Sequence, residues 1–261
     1  MLKFIDTHSH LYLSQFFEDI DTVVENAQKV LNAVYLPNID AKTIPLMLDL
    51  QAKAPNFFFP MIGMHPCSVK ETFEKDLEGM EILLKEGNTA TQKTYFGIGE
   101  TGIDMHWDKT KLEIQTASLQ IQIEWAKKYH LPIILHCREA LDIVIEIIEK
   151  ASEEHLKGIF HCFDGTPEQA KRIAAIPGFV MGIGGIITYK KSTLPAAIAE
   201  IGLEHLVLET DSPYLPPTPH RGKRNESSYI PLIAQQLAEV KEVGLKTLAD
   251  STNENVRRIF G

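Results

Sequence analysis

Eight short apolar runs, each followed by a segment long enough for a helix, restrict this chain more than any other feature. The runs are Lys3–Thr7, Ala33–Pro37, Phe57–Ile62, Tyr95–Glu100, Ile133–His136, Gly158–His161, Phe179–Gly182 and His205–Glu209. They are rich in β-branched and aromatic residues and often bounded by Gly or Pro, the signature of strands. The clearest helical pattern spans Lys111–His130, where Leu112, Leu119, Ile123 and Ala126 recur at helical steps and Pro132 closes the segment. Alternating strands and helices predict parallel βαβ units. Eight units in 261 residues give about 33 residues each, the size of a (β/α)8 barrel. The expected fold is therefore α/β, a TIM-type (β/α)8 barrel with its active site at the C-terminal rim of the strands. A doubly wound open sheet also alternates strand and helix, but it favours a glycine-rich loop after strand one. Here that loop is Thr7-His8-Ser9-His10, without glycine. No linker, repeat or low-complexity tract interrupts the pattern, so a single domain over residues 1–261 is expected. The stretch Pro213–Asn225, with four prolines, reads as a long ordered loop after the last strand, where long loops are usually functional.

Composition removes several classes. With 44% apolar and 23% charged residues the chain is neither disordered nor collagen-like. No apolar run approaches the ~18 residues that span a bilayer. Asp6 and His8 arrive before a signal-peptide core could form, so a cytoplasmic location is the expectation. Three cysteines without a CxxC make a disulfide scaffold the wrong reading. Cys137 and Cys162 each follow a strand-end histidine; if the strands continue, alternation turns their sulfurs toward the helices. Asn225-Glu226-Ser227 fits a glycosylation acceptor, read here as chance. A net charge of −9 makes the protein a poor non-specific binder of duplex DNA, whose affinity comes largely from phosphate neutralisation. Any positive charge for such a ligand has to be local.

The chemistry sits in the histidines. His8 and His10 close the first run, His65 follows the third, and His136 and His161 end the fifth and sixth. Glu100 ends the fourth run and Asp211 lies just past the eighth. From His10 to Asp211 the intervals between these groups are 55, 35, 36, 25 and 50 residues, each close to one or two βα units. All of them therefore fall at one end of successive strands, the rim where barrel active sites are built. Residues i and i+2 on a strand point the same way, so His8 and His10 can share one ion, with Asp211 closing that site. Glu100 has two oxygens and can bridge, and His136 and His161 can hold a second ion. Nitrogen with carboxylate suits Zn²⁺, Mn²⁺ or Fe²⁺, and Mg²⁺ less well. His130, His155 and His205 fall at the far end or the surface and read as structural. His106 and His220 lie in rim loops, and for both a solvated loop histidine outweighs a substrate contact.

Six ordered motifs across nearly the whole chain resemble the TatD family of metal-dependent deoxyribonucleases, within the amidohydrolase-like barrels. They are Asp6-Thr7-His8-Ser9-His10, Gly63-Met64-His65-Pro66, Gly97-Ile98-Gly99-Glu100 with Gly102-Ile103-Asp104, His136-Cys137-Arg138, His161-Cys162-Phe163-Asp164-Gly165 and Glu209-Thr210-Asp211-Ser212-Pro213-Tyr214-Leu215. Arg224-Asn225-Glu226 and, further on, Thr252, Asn255, Arg258 and Phe260 extend the match. The chain departs from the family at Met105, often Tyr, and at Ser227, often Pro. The resemblance implies two divalent ions (Zn²⁺, Mn²⁺ or Mg²⁺) held by His8, His10, Glu100, His136, His161 and Asp211. It implies Asp211 as general base and His65 as a substrate contact or proton donor. Arg138 is implied as a phosphate contact, and Arg224 joins it as a candidate for substrate binding.

The expected activity is hydrolysis of DNA phosphodiester bonds by a water activated between two metals, with single-stranded or end-bound DNA preferred. The phosphate equipment is Arg138 with Arg221, Lys223 and Arg224 in the last loop. The alternative is a small-molecule ester, amide or phosphoester hydrolase of the amidohydrolase type; a non-catalytic metal-holding barrel is a third reading. DNA is the expected partner, with no membrane, and a monomer is expected.

Overall fold

In the computed structural model, which describes residues 2–89, 92–152 and 155–261, every strand pairs in parallel with its sequence neighbour. The strands are β1 (Phe4–Asp6), β2 (Leu31–Pro37), β3 (Phe58–Met61), β4 (Ile98–Asp104), β5 (Ile133–Arg138), β6 (Gly158–Phe160), β7 (Phe179–Ile183) and β8 (Leu206–Leu208). Regular ladders join β1-β2-β3 and β4 through β8. Two narrower contacts close the ring. Ile62 bridges Ile98, and Gly99 N donates to Ile62 O at 2.9 Å. On the other side Thr7 N donates to Leu208 O at 3.0 Å and Ser9 bridges Ser212. The ring of eight parallel strands is the expected (β/α)8 barrel.

Around the strands lie α1 (Ile20–Val30), α2 (Thr43–Lys53), α3 (Phe73–Gly87), α4 (Leu112–Tyr129), α5 (Leu141–Ala151), α6 (Pro167–Ala175), α7 (Leu194–Ile198), α8 (Ile230–Val240) and α9 (Leu245–Phe260). α4 matches the expected helix within a residue at each end; His130 then caps it in the left-handed region (φ 53°), and its backbone N–H returns to Ala126 and Lys127. Both faces of the strands are buried, as a parallel sheet under helices requires. Ile5, Tyr35, Met61, Ile134, Ile159, Val180 and Val207 meet inside the barrel. Their sequence neighbours, such as Phe4, Val34, Phe58, Ile133, Phe160 and Leu206, join the outer core beneath the helices. α9 plugs the N-terminal end: Val256, Ile259 and Phe260 join the inner cluster, and Phe260 stacks on Tyr35 at 3.8 Å. A fully buried side chain of this size is worth about 1.5–3 kcal/mol.

β4 departs most from the sequence expectation. It starts at Ile98 rather than Tyr95 and runs four residues past Glu100. The glycines of Gly99-Glu100-Thr101-Gly102 let neighbouring strands approach. Gly102 has φ +143°, and a Cβ there would stand 2.0 Å from His136 O. The pairing slips between Ile98 and Thr101, which leaves Glu100 inside the strand and Asp104 at its end. No described helix is long and apolar enough to cross a membrane.

Candidate metal centre

Backbone bonds, more than side chains, bring the two ends of the chain together at the rim. Asp211 N donates to His8 O at 2.8 Å, and His10 N to Ser212 O at 2.7 Å. Beneath them the fully buried Asp6 carboxylate accepts from His8 N, Thr210 N and the Thr210 hydroxyl. Burial lifts the Asp6 pKa to about 7 against the opposing hydrogen bonds of Ser227, Thr210 and His8. Asn225, also fully buried, donates to Thr210 O and Tyr214 O, both at 2.7 Å, and so holds the loop that carries Asp211. No glycan can reach it there. Ser227, one of the departures from the family, is equally buried and bonds Ser9 Oγ at 3.1 Å.

α4 fixes the opposite side of the rim. Gln115 accepts from Asp104 N and donates to Asp104 O, and Gln122 does the same with Met64 N and O. Asn38 accepts from Gly63 N at 2.7 Å, and its own carbonyl receives Glu100 N at 3.1 Å. Glu100 and the His65 loop are thereby set by a shared scaffold.

All the expected ligand groups meet around Glu100. His8 Nε2 lies 3.1 Å from His10 Nε2, and these nitrogens stand 3.2 and 3.3 Å from Glu100 Oε2. Asp211 Oδ1 is 3.7 and 3.6 Å from the same two nitrogens. The other Glu100 oxygen, Oε1, faces His136 Nδ1 at 2.8 Å, His161 Nε2 at 3.2 Å and His65 Nε2 at 3.4 Å. Three overlapping sets could hold an ion: His8, His10 and Asp211; His8, Glu100 and His161; His65, Glu100 and His136. Ligands bound at about 2.0–2.2 Å in tetrahedral array stand roughly 3.3–3.6 Å from each other, close to the separations seen here.

What lies behind the imidazoles tests whether they fit a cation. Tyr12 gives its hydroxyl proton to Pro37 O at 2.6 Å, so it accepts from His10 Nδ1 at 2.8 Å. His161 Nδ1 faces Glu209 Oε1 at 3.2 Å, and His136 Nε2 faces Asp104 Oδ2 at 2.9 Å. In each ring a partner engages the rear nitrogen and leaves the other nitrogen facing the centre, the arrangement of metal-bound histidines. His65 is different: its Nδ1 accepts from Cys67 N at 3.0 Å, so in the neutral ring the proton sits on Nε2. That geometry suits a donor better than a ligand.

The charges are strongly interdependent. Burial works against ionisation of Glu100, yet His65, His8 and His161 hold its carboxyl well below the usual carboxylate range. Burial also opposes the imidazolium of His161, but Glu100 and Glu209 pull its pKa well above the ordinary value. His8 goes the other way, pushed well down by burial and by His161. For Asp211 burial dominates and lifts the carboxyl to about 6 against the pull of His161 and His10. Its backbone sits in the left-handed region at φ 57°, a strained position that recurs at functional sites. Side chains of His65, His136 and Asp211 are about 15% exposed, whereas His8, His10, Glu100 and His161 are at most 4% exposed. The site therefore opens on the His65–His136–Asp211 side.

Two acids were given no role by sequence. Asp104 was visible only as part of a motif, and Glu209 only as the neighbour of Thr210. Glu209 is fully buried; its Oε1 accepts from Cys162 N at 2.5 Å, and its Oε2 has no partner among the described residues. A Cβ at Gly182 would fall 2.0 Å from that Oε2, so the carboxylate occupies space a side chain on β7 would fill.

The other candidates are placed as follows. Arg138 is exposed, with its guanidinium 5.4 Å from the Trp107 ring. Arg224 donates to Asp19, Glu226 and Gln15 O and stacks over Phe16 at 4.4 Å, which fully matches its charge. His106 pairs with Glu139 at 2.6 Å on the surface, and His220 stacks on Tyr229 at 4.0 Å. His130 and His155 lie beside each other, 6.0 Å between rings, and His205 sits in the turn before β8. β6 stops at Phe160, so strand alternation does not govern Cys162, which is left-handed at φ 48°. Burial raises the Cys137 and Cys162 thiols well above their ordinary pKa, so neither is a nucleophile.

The family model described as TatD related DNase matches residues 5–261. A Bacillus subtilis protein named as the uncharacterized metal-dependent hydrolase YabD is 35% identical over 257 residues, 98% of each chain. Among solved structures, YJJV, a TatD homologue from Escherichia coli K12, superposes with a TM-score of 0.90 at 28% identity, over 98% of this chain and 97% of its own. A TatD-family hydrolase from Entamoeba histolytica gives 0.85 at 23% identity, covering 99% and 98%, and shares the fold.

Proposed function

The chain belongs to the family of TatD-related DNases, and from that premise we propose that it is a metal-dependent hydrolase of DNA phosphodiester bonds, acting on single strands or strand ends in preference to closed duplex. One observation carries this reading: His10, His136 and His161 each face Glu100 with one ring nitrogen while Tyr12, Asp104 and Glu209 engage the other. His8, His10 and Asp211 would hold one divalent ion and His136 and His161 a second, with Glu100 beside both groups. Zn²⁺, Mn²⁺ and Mg²⁺ are the candidates. Bound there, such ions supply Lewis acidity to phosphoryl oxygens and lower the pKa of water from 15.7 toward ~7.

The protein's own groups supply the rest. Asp211 stands on the open side of the cluster, and its carboxyl, raised to about 6, is still ionised at neutral pH. That value is well matched to removing a proton from the attacking water. His65 keeps a proton on Nε2 because Cys67 N occupies Nδ1, and it presents that proton to the leaving alcohol or the phosphate. Arg138 at the end of β5 carries charge toward the non-bridging oxygens. Arg224, engaged by Asp19 and Glu226, holds the loop after β8 instead of touching phosphate.

Local charge also explains the expected strand preference. A chain at −9 repels long polyanions unless cations gather at the site. The test is a labelled single-stranded oligonucleotide assayed beside closed circular duplex and a panel of chromogenic esters and phosphodiesters, with metal added and then chelated. Chelator-sensitive cleavage of the single strand, faster than of the duplex, is expected. Equal rates on closed circles would remove the strand preference. Turnover of esters with none of phosphodiesters would put a small-molecule hydrolase in its place.

A further inference from the structure

Three of the six arginines in this acidic protein have carboxylate partners. Arg172 is matched by Asp142 and Glu149, Arg224 by Asp19 and Glu226, and Arg257 by Glu254. Lys53, Lys128, Lys171 and Lys246 are paired as well. Along one arc of the rim four exposed cations stand together: Arg138, Lys190, Lys191 and Arg221 have no carboxylate within 4 Å among the described residues.

Three of these cations line one groove of about 430 Å³ formed by the loops after β6, β7 and β8. The groove is a built feature. Arg221 lies flat over the Tyr189 ring at 3.7 Å, and Tyr189 donates its hydroxyl proton to Pro216 O at 3.1 Å. Thr218 N donates to Thr188 Oγ1 and the Thr218 hydroxyl to Thr188 O, which clasp the two loops together. Arg221 is thus held by a ring and leaves its donors free, while Lys190 and Lys191 are exposed beside it. The one acid in the wall is Asp164. Burial raises its carboxyl above the ordinary range against the pull of Arg138, His161 and His136. Asp164 and Thr193 also line a neighbouring groove of about 760 Å³ that reaches Cys137, the residue after His136. The two grooves form a track from the end of β5 to the β8 loop. At the β5 end stands Trp107, 73% exposed beside Arg138, a face on which a base can stack.

Resting on the phosphodiesterase reading above, we propose that Lys190, Lys191 and Arg221 bind a phosphate of the substrate strand away from the metal centre, so that longer single strands are held more tightly than short ones. A second contact on the same strand acts through effective concentration. Each phosphate neutralised on a single strand also adds ~0.7 to the salt slope.

The measurement is fluorescence anisotropy of the metal-loaded protein with dye-labelled, phosphorothioate-linked thymidine 12-mer and 3-mer across a salt series. Wild type is expected to bind the 12-mer about tenfold or more tighter than the 3-mer. Combining Lys190→Gln, Lys191→Gln and Arg221→Gln should bring the two within about twofold and flatten the salt slope by about 0.7. Arg221→Lys alone should keep the slope, because the charge remains. Lys246→Gln, a paired lysine on α9, should change neither quantity. A triple variant that keeps the wild-type length ratio and slope overturns the proposal. If wild type cleaves phosphodiesters but shows no length preference, the groove assignment alone falls; if it neither binds strands nor cleaves any phosphodiester, the functional reading falls and takes the groove with it.

Discussion

The two ends of the barrel solve opposite problems with the same strands. At the N-terminal end α9 closes the opening with Val256, Ile259 and Phe260 against Tyr35 and Ile5, an apolar plug. At the C-terminal end the chain buries Asp6, His8, His10, Glu100, Asp104, His161 and Glu209 within a few ångströms of each other. Four of the six described non-glycine residues at positive φ (Glu139, Cys162, Asp211 and Leu215) also lie in loops at this end. Burying charge and strain costs stability. Apolar burial at the opposite end helps to offset it. Stability and chemistry are therefore separable along the barrel axis, and substitutions at the two ends should fail in different ways.

The largest effect belongs at the rim. Glu100→Ala should lower kcat/KM by about 10³-fold or more and reduce bound metal, while circular dichroism still reports a folded barrel. At the far end Phe260→Ala should lose about 3–5 kcal/mol in a denaturant titration but keep its metal content per folded molecule. Equal loss of metal in both variants would erase the contrast. Glu209→Gln sharpens it, because that residue reaches the centre through His161: metal affinity or activity should fall about 10–100-fold with little change in melting temperature.

The smallest effect tests the outer shell. Glu81 accepts from Tyr129 Oη at 2.6 Å and Lys128 Nζ at 2.9 Å, which holds its carboxyl below the ordinary value. A depressed folded pKa gives stability that is present above the unfolded pKa and lost as pH falls through the folded one. Glu81→Gln should therefore cost about 0.5 kcal/mol near pH 7 and progressively less as pH falls below the ordinary carboxylate range, and metal content should not move.

Residue type and spacing made the ligand set legible. His8, His10, His65, Glu100, His136, His161 and Asp211 all recur at strand ends, and the structure gathers them around Glu100. Periodicity likewise placed the eight strands and α4. Other features depended on contacts that no local pattern encodes. Glu209 reaches His161 across β7 only because Gly182 has no side chain. Gln115 and Gln122 look like ordinary polar positions on an amphipathic helix, yet both are buried against rim backbone. Glycine composition hid the extension of β4, since close approach and a turn draw on the same residue. Arg224 was read from its loop alone, and its partner Asp19 lies 205 residues away.

The most direct test is anomalous diffraction from crystals grown with zinc or manganese and recorded at the metal edge. Two strong peaks are expected, one among His8, His10 and Asp211 and one among Glu100, His136 and His161. A map with no peak at the rim, or with metal bound only elsewhere on the surface, would contradict the account.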